Sequence, residues 1–373
     1  MGTGVQRVGA IPRDETGELT CANKYAFGLA LLRLPVMGPL SAANGDEVRS
    51  PAEDLANQLL SVLAGTLAVG LSVGAAMRLG AGRRTANAVA VAMAFGTGLF
   101  HYATYDSSFT HVYLAMLTAW FCWFAARVLS NRGDGVPVLS RAMKWDSGVA
   151  AFFFVAIRIP SIFPLFVGYA AIAVLLRVHQ RDRTRQVMRL ALPAAIGATA
   201  AVVLQVAYNR YGFGTWTLFS YRGEGLGTSG WHQWEVMFSA RKGLFTWYPV
   251  LWLALAAMAV ARRATSLLVT LAIVMPFVML YGWWHSWYLG GSFGHRGFVD
   301  LVPVFAVALA VELSRLSVRT RRLWLGGAAL ATVYTLGLLV AYWNGDIDFG
   351  GATRQELWEH GVTSNDALDL LLP

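Results

Sequence analysis

The chain has 373 residues, of which 56% are hydrophobic and 14% charged, and its formal net charge is +9. This composition excludes a soluble globular protein and indicates a polytopic membrane protein. The basic excess does not indicate nucleic-acid binding, because the basic residues recur in short clusters between apolar runs, as in cytoplasmic loops. The two cysteines, Cys21 and Cys122, are far apart in sequence and belong to no metal-ligand spacing, so the sequence predicts neither a disulfide framework nor a metal site.

Residues 1–54 precede the first long apolar run, and we expect them to form an extracytoplasmic loop that contains one helix. The apolar stretch 26–40 is interrupted by Arg33, Pro35 and Pro39. It is therefore too short and too broken to cross roughly 30 Å of hydrocarbon. We predict a helix that lies in the membrane interface.

Long apolar runs begin at Leu55 and predict a transmembrane domain at 55–343, followed by an extracytoplasmic tail at 344–373. The runs that predict single spans are 55–77, 85–103, 109–126, 190–207, 244–261, 265–283, 298–314 and 323–342. Residues 147–176 are too long for one span and contain Arg158, Pro160 and Pro164, which predict two short helices that meet at a bend. The predicted fold class is all-α, a polytopic helix bundle of about ten crossings.

Basic clusters alternate along this chain. They lie at 78–84, 127–144, 177–189, 262–263 and 315–322, which is every second predicted loop. The positive-inside rule places these loops in the cytoplasm and the remaining loops on the extracytoplasmic face of the cell membrane. Residues 1–54 would then lie outside with no apolar segment to carry them across. We expect either that a first helix is missing or that the stretch 26–40 inserts despite its prolines.

The predicted outward loops carry several candidate site residues. Asp106 and His111 form either a helix cap within an aromatic belt or one polar wall of a substrate cavity. Arg158 at membrane depth needs a carboxylate partner or an anionic ligand such as a phosphate. Arg241 and Lys242 precede a span, and they either anchor its end or clamp a lipid phosphate.

The segment 281–303 combines aromatic rings, glycines and polar side chains between two apolar runs. Its rings suit the headgroup level of a membrane, and its glycines allow tight turns near a ligand. Arg296 faces an anion or pairs with Asp300 four residues later. His285 and His295 either contact a ligand or are interfacial rings hydrogen-bonded to the backbone.

An ordered set of short motifs runs through most of the chain. It consists of NKYAFGLALL at 23–32, FTHVY at 109–113, AYNR at 207–210, FSARKGLF at 238–245 and SFGHRGFVDL at 292–301. With this set the chain resembles the polytopic GT-C glycosyltransferases, near the bacterial relatives of protein mannosyltransferases (glycosyltransferase family 39). The similarity covers about residues 23–344.

The resemblance implies a GT-C-like fold and transfer of a sugar from a polyprenyl-phosphate donor to an acceptor on the outer face, with inversion and without a cofactor. The partners are then the lipid-linked sugar and membrane lipid. Arg296, Arg241 and Lys242 are the candidates for holding the lipid phosphate, since cations stabilise a departing phosphate. His285 or His295 would contact sugar or phosphate.

The resemblance also implies that a carboxylate in the first outer loop acts as the base. The acidic motif of the family follows a first helix, which we expect to be missing from this chain. Asp14 and Glu15 form the adjacent acidic pair ahead of the 23–32 motif, and we take them as the candidate catalytic residues, although they also suit an ordinary turn. The pair at 46–47 is a weaker candidate.

Two other classes stay open: a transporter or flippase of lipid-linked sugars, and a non-catalytic membrane subunit. A transporter usually carries acidic or polar residues deep within several spans. Here the predicted spans are nearly free of acids and the polar groups cluster at one face, which favours the enzyme.

Overall fold

The computed structural model describes residues 11–12, 19–20, 25–44, 50–130, 141–179, 181–218, 225–227, 230–261 and 264–363. The candidate base residues Asp14 and Glu15, and the acidic pair at 46–47, lie outside these residues. Two short strands, β1 Ile11–Pro12 and β2 Leu19–Thr20, pair in antiparallel fashion. The rest of the regular structure in the described residues is helical.

The helices follow one another along the whole chain, and three 3₁₀ or π turns connect or end them. The helices are α1 Gly28–Asn44, α2 Pro51–Arg78, α3 Arg83–Phe95, α4 Leu99–Thr104, α5 His111–Ser130, α6 Arg141–Ile157, α7 Ile162–His179, α8 Arg181–Phe213, α9 Gln233–Phe238, α10 Leu244–Trp247, α11 Pro249–Val260, α12 Ala264–Gly282, α13 Val302–Arg315, α14 Val318–Asn344 and α15 Arg354–Trp358. The turns are 3₁₀ at Ile159–Ser161, 3₁₀ at Arg296–Leu301 and π at Glu359–Thr363.

Within the described residues, six helical segments are long and apolar enough to cross a membrane. They are α2, α5, the Met188–Phe213 part of α8, α12, Arg296–Arg315 and α14, and shorter apolar helices lie at Ile159–Leu175 and Pro249–Val260. This confirms the prediction of an all-α, multi-pass membrane bundle. The bend expected within 147–176 is present, because α6 ends at Ile157 and α7 begins only after the 3₁₀ turn.

The run 85–103 is not the single span that we predicted. It divides into α3 and α4 at Gly96 and Gly98, and α3 with its 13 residues is only about 20 Å long. The break is held by packing, since a Cβ atom at Gly98 would lie 2.6 Å from the hydroxyl of Tyr248. The consequence is that α4 can turn its polar side chains toward the end of the bundle.

Small residues allow the longest helices to pack closely. A Cβ atom at Gly197 of α8 would collide with the carbonyl oxygen of Gly148 in α6, so these two backbones are in direct contact. On α2, Gly65 leaves room for the Cβ of Ala103 in α4, and Ser61 donates a hydrogen bond to the carbonyl of Tyr102 at 3.0 Å. Close backbone approach of this kind is a main source of helix association in lipid.

Three of the basic turns lie near one another at one end of the bundle. Arg78 at the end of α2 and Arg127 near the end of α5 both stack on Trp123. The backbone N–H of Gly82, in the turn between α2 and α3, donates to Ser314 near the end of α13 at 3.0 Å. The connections at the opposite end of the bundle contain the candidate site residues.

Candidate functional site

Asp300 connects three separate segments at the end of the bundle opposite the basic turns. It lies in the 3₁₀ turn before α13 and is 3% exposed. Its carboxylate accepts hydrogen bonds from Nδ1 of His111 and from the guanidinium of Arg158, both at 2.8 Å. His111 is the first residue of α5, and Arg158 lies at the bend after α6, so this Asp300 cluster joins α5, α6 and α13.

The Asp300 cluster resolves two alternatives that the sequence left open. Arg158 has the carboxylate partner that its depth requires, and its guanidinium also lies over the ring of Tyr281, 5.4 Å from the centroid. The alternative pairing of Arg296 with Asp300 is not formed. Each oxygen of Asp300 already accepts one hydrogen bond and the side chain is almost fully buried, so this residue holds the fold together at the site.

Arg296 is half-buried, and among the described residues it has no carboxylate partner. Its guanidinium lies over the ring of Phe109, 4.8 Å from the centroid, and its one polar contact is a long 3.5 Å approach to the carbonyl of Gly291. Burial raises the pKa of the neighbouring Tyr102 well above its ordinary value, and the Arg296 charge offsets part of that rise. This guanidinium is the least compensated cation of the candidate site.

Asp106 binds a histidine that we had not singled out. Its Oδ2 lies 3.0 Å from Nε2 of His101, and the indole N–H of Trp343 donates to Nδ1 of the same ring at 3.0 Å. His101 is fully buried, whereas the Asp106 side chain is 30% exposed. The Asp106 carboxylate therefore pairs with His101, and among the described residues it makes no hydrogen bond that caps α5.

Lys242 is fully buried, and its ammonium group bridges two loops by hydrogen bonds. It donates to the carbonyls of Gly290 and Phe349, the latter at 2.7 Å, and to the hydroxyl of Ser292 at 3.0 Å. Burial, assisted by nearby arginines, lowers the pKa of Lys242 to about 7. The oxygen acceptors oppose that shift, because only the ammonium form has three N–H bonds to donate. Since all three donors are occupied, Lys242 has no N–H left for a phosphate.

The other predicted site residues differ in their access to a ligand. Arg241 is exposed, lies 3.4 Å above the ring of Tyr288 and donates to the carbonyl of Gly350 at 3.1 Å. His295 is fully buried, and its ring packs against the rings of Tyr281 and Phe298. Burial lowers its pKa to about 3, so the ring is neutral. His285 is half-buried, and its Nδ1 has no hydrogen-bond partner in the part of the chain that the structure describes.

An apolar cavity of about 190 Å³ lies between α5, α7, α12 and α13. Phe154 and Val304 line it, and each is four residues from a member of the Asp300 cluster, Phe154 from Arg158 and Val304 from Asp300. Ser266 and Val311 line it near the basic end of the bundle. The cavity therefore extends from one helical turn below the Asp300 cluster deep into the apolar part of the bundle.

The structure brings most of the predicted residues to one end of the bundle and adds others that the sequence did not indicate. Among the described residues, no group of three or more His, Cys, Asp or Glu side chains is placed to hold a metal ion. His101 and Trp343 were missed because His101 lies inside a run that suggests a plain membrane span and Trp343 directly follows another. The one available signal was the five-residue separation of His101 and Asp106 across the end of α4.

A comparison of the chain with models of known protein families found no match, and neither did comparisons with curated proteins and with solved structures.

Proposed function

We propose that this protein is a GT-C glycosyltransferase of about ten crossings that transfers a sugar from a polyprenyl-phosphate donor to an acceptor hydroxyl on the extracytoplasmic face. The observation that carries the proposal is Arg296. A half-buried guanidinium without a carboxylate partner is unfavourable unless an anion binds it. A phosphate headgroup supplies such an anion.

The apolar cavity supports a lipid as the carrier of that phosphate. It begins one turn below the Asp300 cluster, so a prenyl chain anchored by its phosphate near Arg296 has apolar surface to follow into the bundle. Arg241 lies on the exposed side and offers a second cation to the headgroup. When the sugar leaves, negative charge grows on the phosphate, and a guanidinium stabilises that charge more strongly than the charge of the bound donor.

The test is sugar transfer and lipid binding by Arg296 variants in proteoliposomes. We expect Arg296→Ala to lower the transfer rate by about 10²-fold or more from a panel of tritium-labelled polyprenyl-phosphate monosaccharides, with cell-envelope material as the acceptor. Arg296→Lys should recover only part of the rate, because a point charge does not reproduce the guanidinium fork. Arg322→Ala, which removes an exposed arginine at the basic end, is the matched control and should transfer normally.

Binding of polyprenyl phosphate without a sugar provides the second readout. It should raise the melting temperature of the wild-type protein and of the Arg322→Ala variant, and raise that of Arg296→Ala much less. Normal transfer and normal lipid binding by a well-folded Arg296→Ala variant would contradict the phosphate role. Absence of transfer from every donor of the panel would contradict the proposed activity.

One observation favours a transporter of lipid-linked sugars as the second candidate. Glu312 near the end of α13 is fully buried, and its Oε1 accepts from Ser266 at 2.5 Å and from Arg315 at 2.6 Å, while Oε2 has no partner among the described residues. Ser266 also lines the apolar cavity. A buried carboxylate beside a transmembrane cavity suits ion-coupled transport. Movement of a labelled lipid-linked sugar across the bilayer without transfer to acceptor would support this candidate over the enzyme.

A further inference from the structure

His101 is held in one tautomer by its two neighbours. The Trp343 indole has only a donor N–H, so Nδ1 of His101 accepts and carries no proton. The neutral ring must then carry its proton on Nε2, and that N–H points at Oδ2 of Asp106 at 3.0 Å. The result is a hydrogen-bonded triad in which Trp343 orients His101, and His101 holds Oδ2 of Asp106.

Aromatic rings pack around His101 and hold the hydrogen-bonded triad of Trp343, His101 and Asp106 in place. The ring of Tyr105 stacks on His101 with centroids 5.4 Å apart, and on Trp343 with centroids 5.5 Å apart. Tyr342 meets the His101 ring edge-on at 5.4 Å. The direction of the Nε2–H bond is therefore set by packed side chains, so the Asp106 carboxylate is oriented before any ligand arrives.

Asp106 keeps one oxygen for another partner. Within the described residues Oδ1 makes no hydrogen bond, and the side chain is 30% exposed. The other carboxylates near Arg296 are less suited to accept a proton: both oxygens of Asp300 are occupied, and Asp348 is exposed and already accepts from the backbone N–H of Gly350 at 2.6 Å. Among these carboxylates, Asp106 alone combines a fixed orientation with a free and accessible oxygen.

The Asp106 carboxylate and the Arg296 guanidinium belong to one site. The N–H of Phe109 donates to the backbone carbonyl of Asp106 at 3.2 Å, which closes the turn between them, and the Phe109 ring lies directly beneath Arg296. Both charged groups also act on the Tyr102 hydroxyl, which lies between α4 and the 292–294 loop and donates to the carbonyl of Phe293 at 3.0 Å. A phosphate bound at Arg296 would therefore leave its sugar close to Asp106.

We infer that Asp106 is the general base that activates the acceptor, and that His101 is its positioning residue; this inference rests on the proposed function. Oδ1 of Asp106 takes the proton of the acceptor hydroxyl while the acceptor oxygen forms a bond to the anomeric carbon. The bond from that carbon to the phosphate oxygen breaks, and its electron pair leaves with the polyprenyl phosphate beside Arg296. Asp106 then releases the proton to water through its exposed edge.

His101 takes no proton in this step, because Trp343 occupies Nδ1 and the proton on Nε2 is already shared with Asp106. Its contribution is to keep Oδ1 aimed at the acceptor. This division of roles predicts that the donor's affinity depends on Arg296 and not on His101, whereas the turnover number depends on both Asp106 and His101.

The experiment measures kcat, the donor's KM, polyprenyl-phosphate binding and melting temperature of the full chain in proteoliposomes. Asp106→Asn should lower kcat by about 10²-fold or more and change KM and lipid binding by less than about threefold. Asp346→Asn removes an exposed carboxylate at the same end of the bundle and should behave as the wild type. His101→Gln, whose amide can still donate to Asp106, should retain more kcat than His101→Ala at an equal donor KM.

The outcomes separate this inference from the proposed function. Wild-type transfer together with kcat within about threefold of wild type for Asp106→Asn would overturn the base assignment and leave the transferase proposal standing. Absence of wild-type transfer would overturn both. If Asp106→Asn fails to fold, the two His101 variants decide. An equal loss of kcat in His101→Gln and His101→Ala would overturn the positioning role. A higher kcat in His101→Gln than in His101→Ala would support it.

Discussion

The Asp300 cluster provides the sharpest test of what holds the site together, and Asp300→Asn is the perturbation of choice. The substitution keeps the size of the side chain and one acceptor oxygen, but it removes the charge that compensates Arg158. The Asp300 side chain is 4% exposed and the Arg158 side chain 19% exposed, so solvent screens the pair only weakly. Removing one partner of a buried ion pair costs about 3–5 kcal/mol.

The partial exposure of Arg158 places our expectation at the lower end of that range, about 3 kcal/mol. For a chain of this size, a loss of about 3 kcal/mol corresponds to a fall in melting temperature of roughly 5 °C or more. The measurement is thermal unfolding of the purified protein in detergent without added lipid. Asp346→Asn is the control, because it removes an exposed carboxylate at the same end of the bundle.

A double substitution tests the physical reason. In Asp300→Leu with Arg158→Met both charges are removed, so much of the stability lost in Asp300→Asn should return. Asp300→Asn with an unchanged melting temperature would refute the reasoning, because Arg158 would then need no compensation from Asp300. Polyprenyl phosphate that stabilises Asp300→Asn more than the wild type would show that a free Arg158 also accepts a phosphate.

Two further predictions concern the loops and the orientation. Lys242→Met removes the donor that the oxygens of Gly290, Ser292 and Phe349 share, so we expect a lower melting temperature and faster proteolysis within 290–294. The exposed neighbour substitution Arg241→Met should change neither, and equal stability of the two variants would contradict the role of Lys242. The orientation can be tested in a background without the two native cysteines. Asp346→Cys should react with an impermeant thiol reagent in intact cells, and Arg319→Cys should react only after permeabilisation. The reverse pattern would overturn the extracytoplasmic placement of the site.

The sequence alone determined that the chain is an all-α membrane bundle and where most of its long apolar helices lie. In lipid, backbone groups must bond internally, so apolar runs of about 20 residues are necessarily helical. The basic clusters could be assigned to one end because they alternate, and the contacts of Arg78 and Arg127 with Trp123 place two of them side by side. These features are local, so they can be read without knowing how the helices pack.

The pairings inside the site were decided only by tertiary structure. The four-residue spacing of Arg296 and Asp300 suits an α-helix, in which the two side chains share a face. The chain forms a 3₁₀ turn there instead, and in that geometry residues three apart share a face, so Asp300 turns away from Arg296. It meets His111 and Arg158, which are 189 and 142 residues away in sequence.

The sequence also did not predict the partners of two single residues, Lys242 and His101. A basic residue before a span reads as a surface anchor, yet Lys242 is covered by two loops whose carbonyls lie near it only after folding. His101 lies within an apolar run, and it reaches Asp106 and Trp343 only because the glycine-rich break after α3 ends that helix and redirects α4. Local composition determines where a helix forms, whereas the partner of a buried polar group is set by whichever distant segment packs against it.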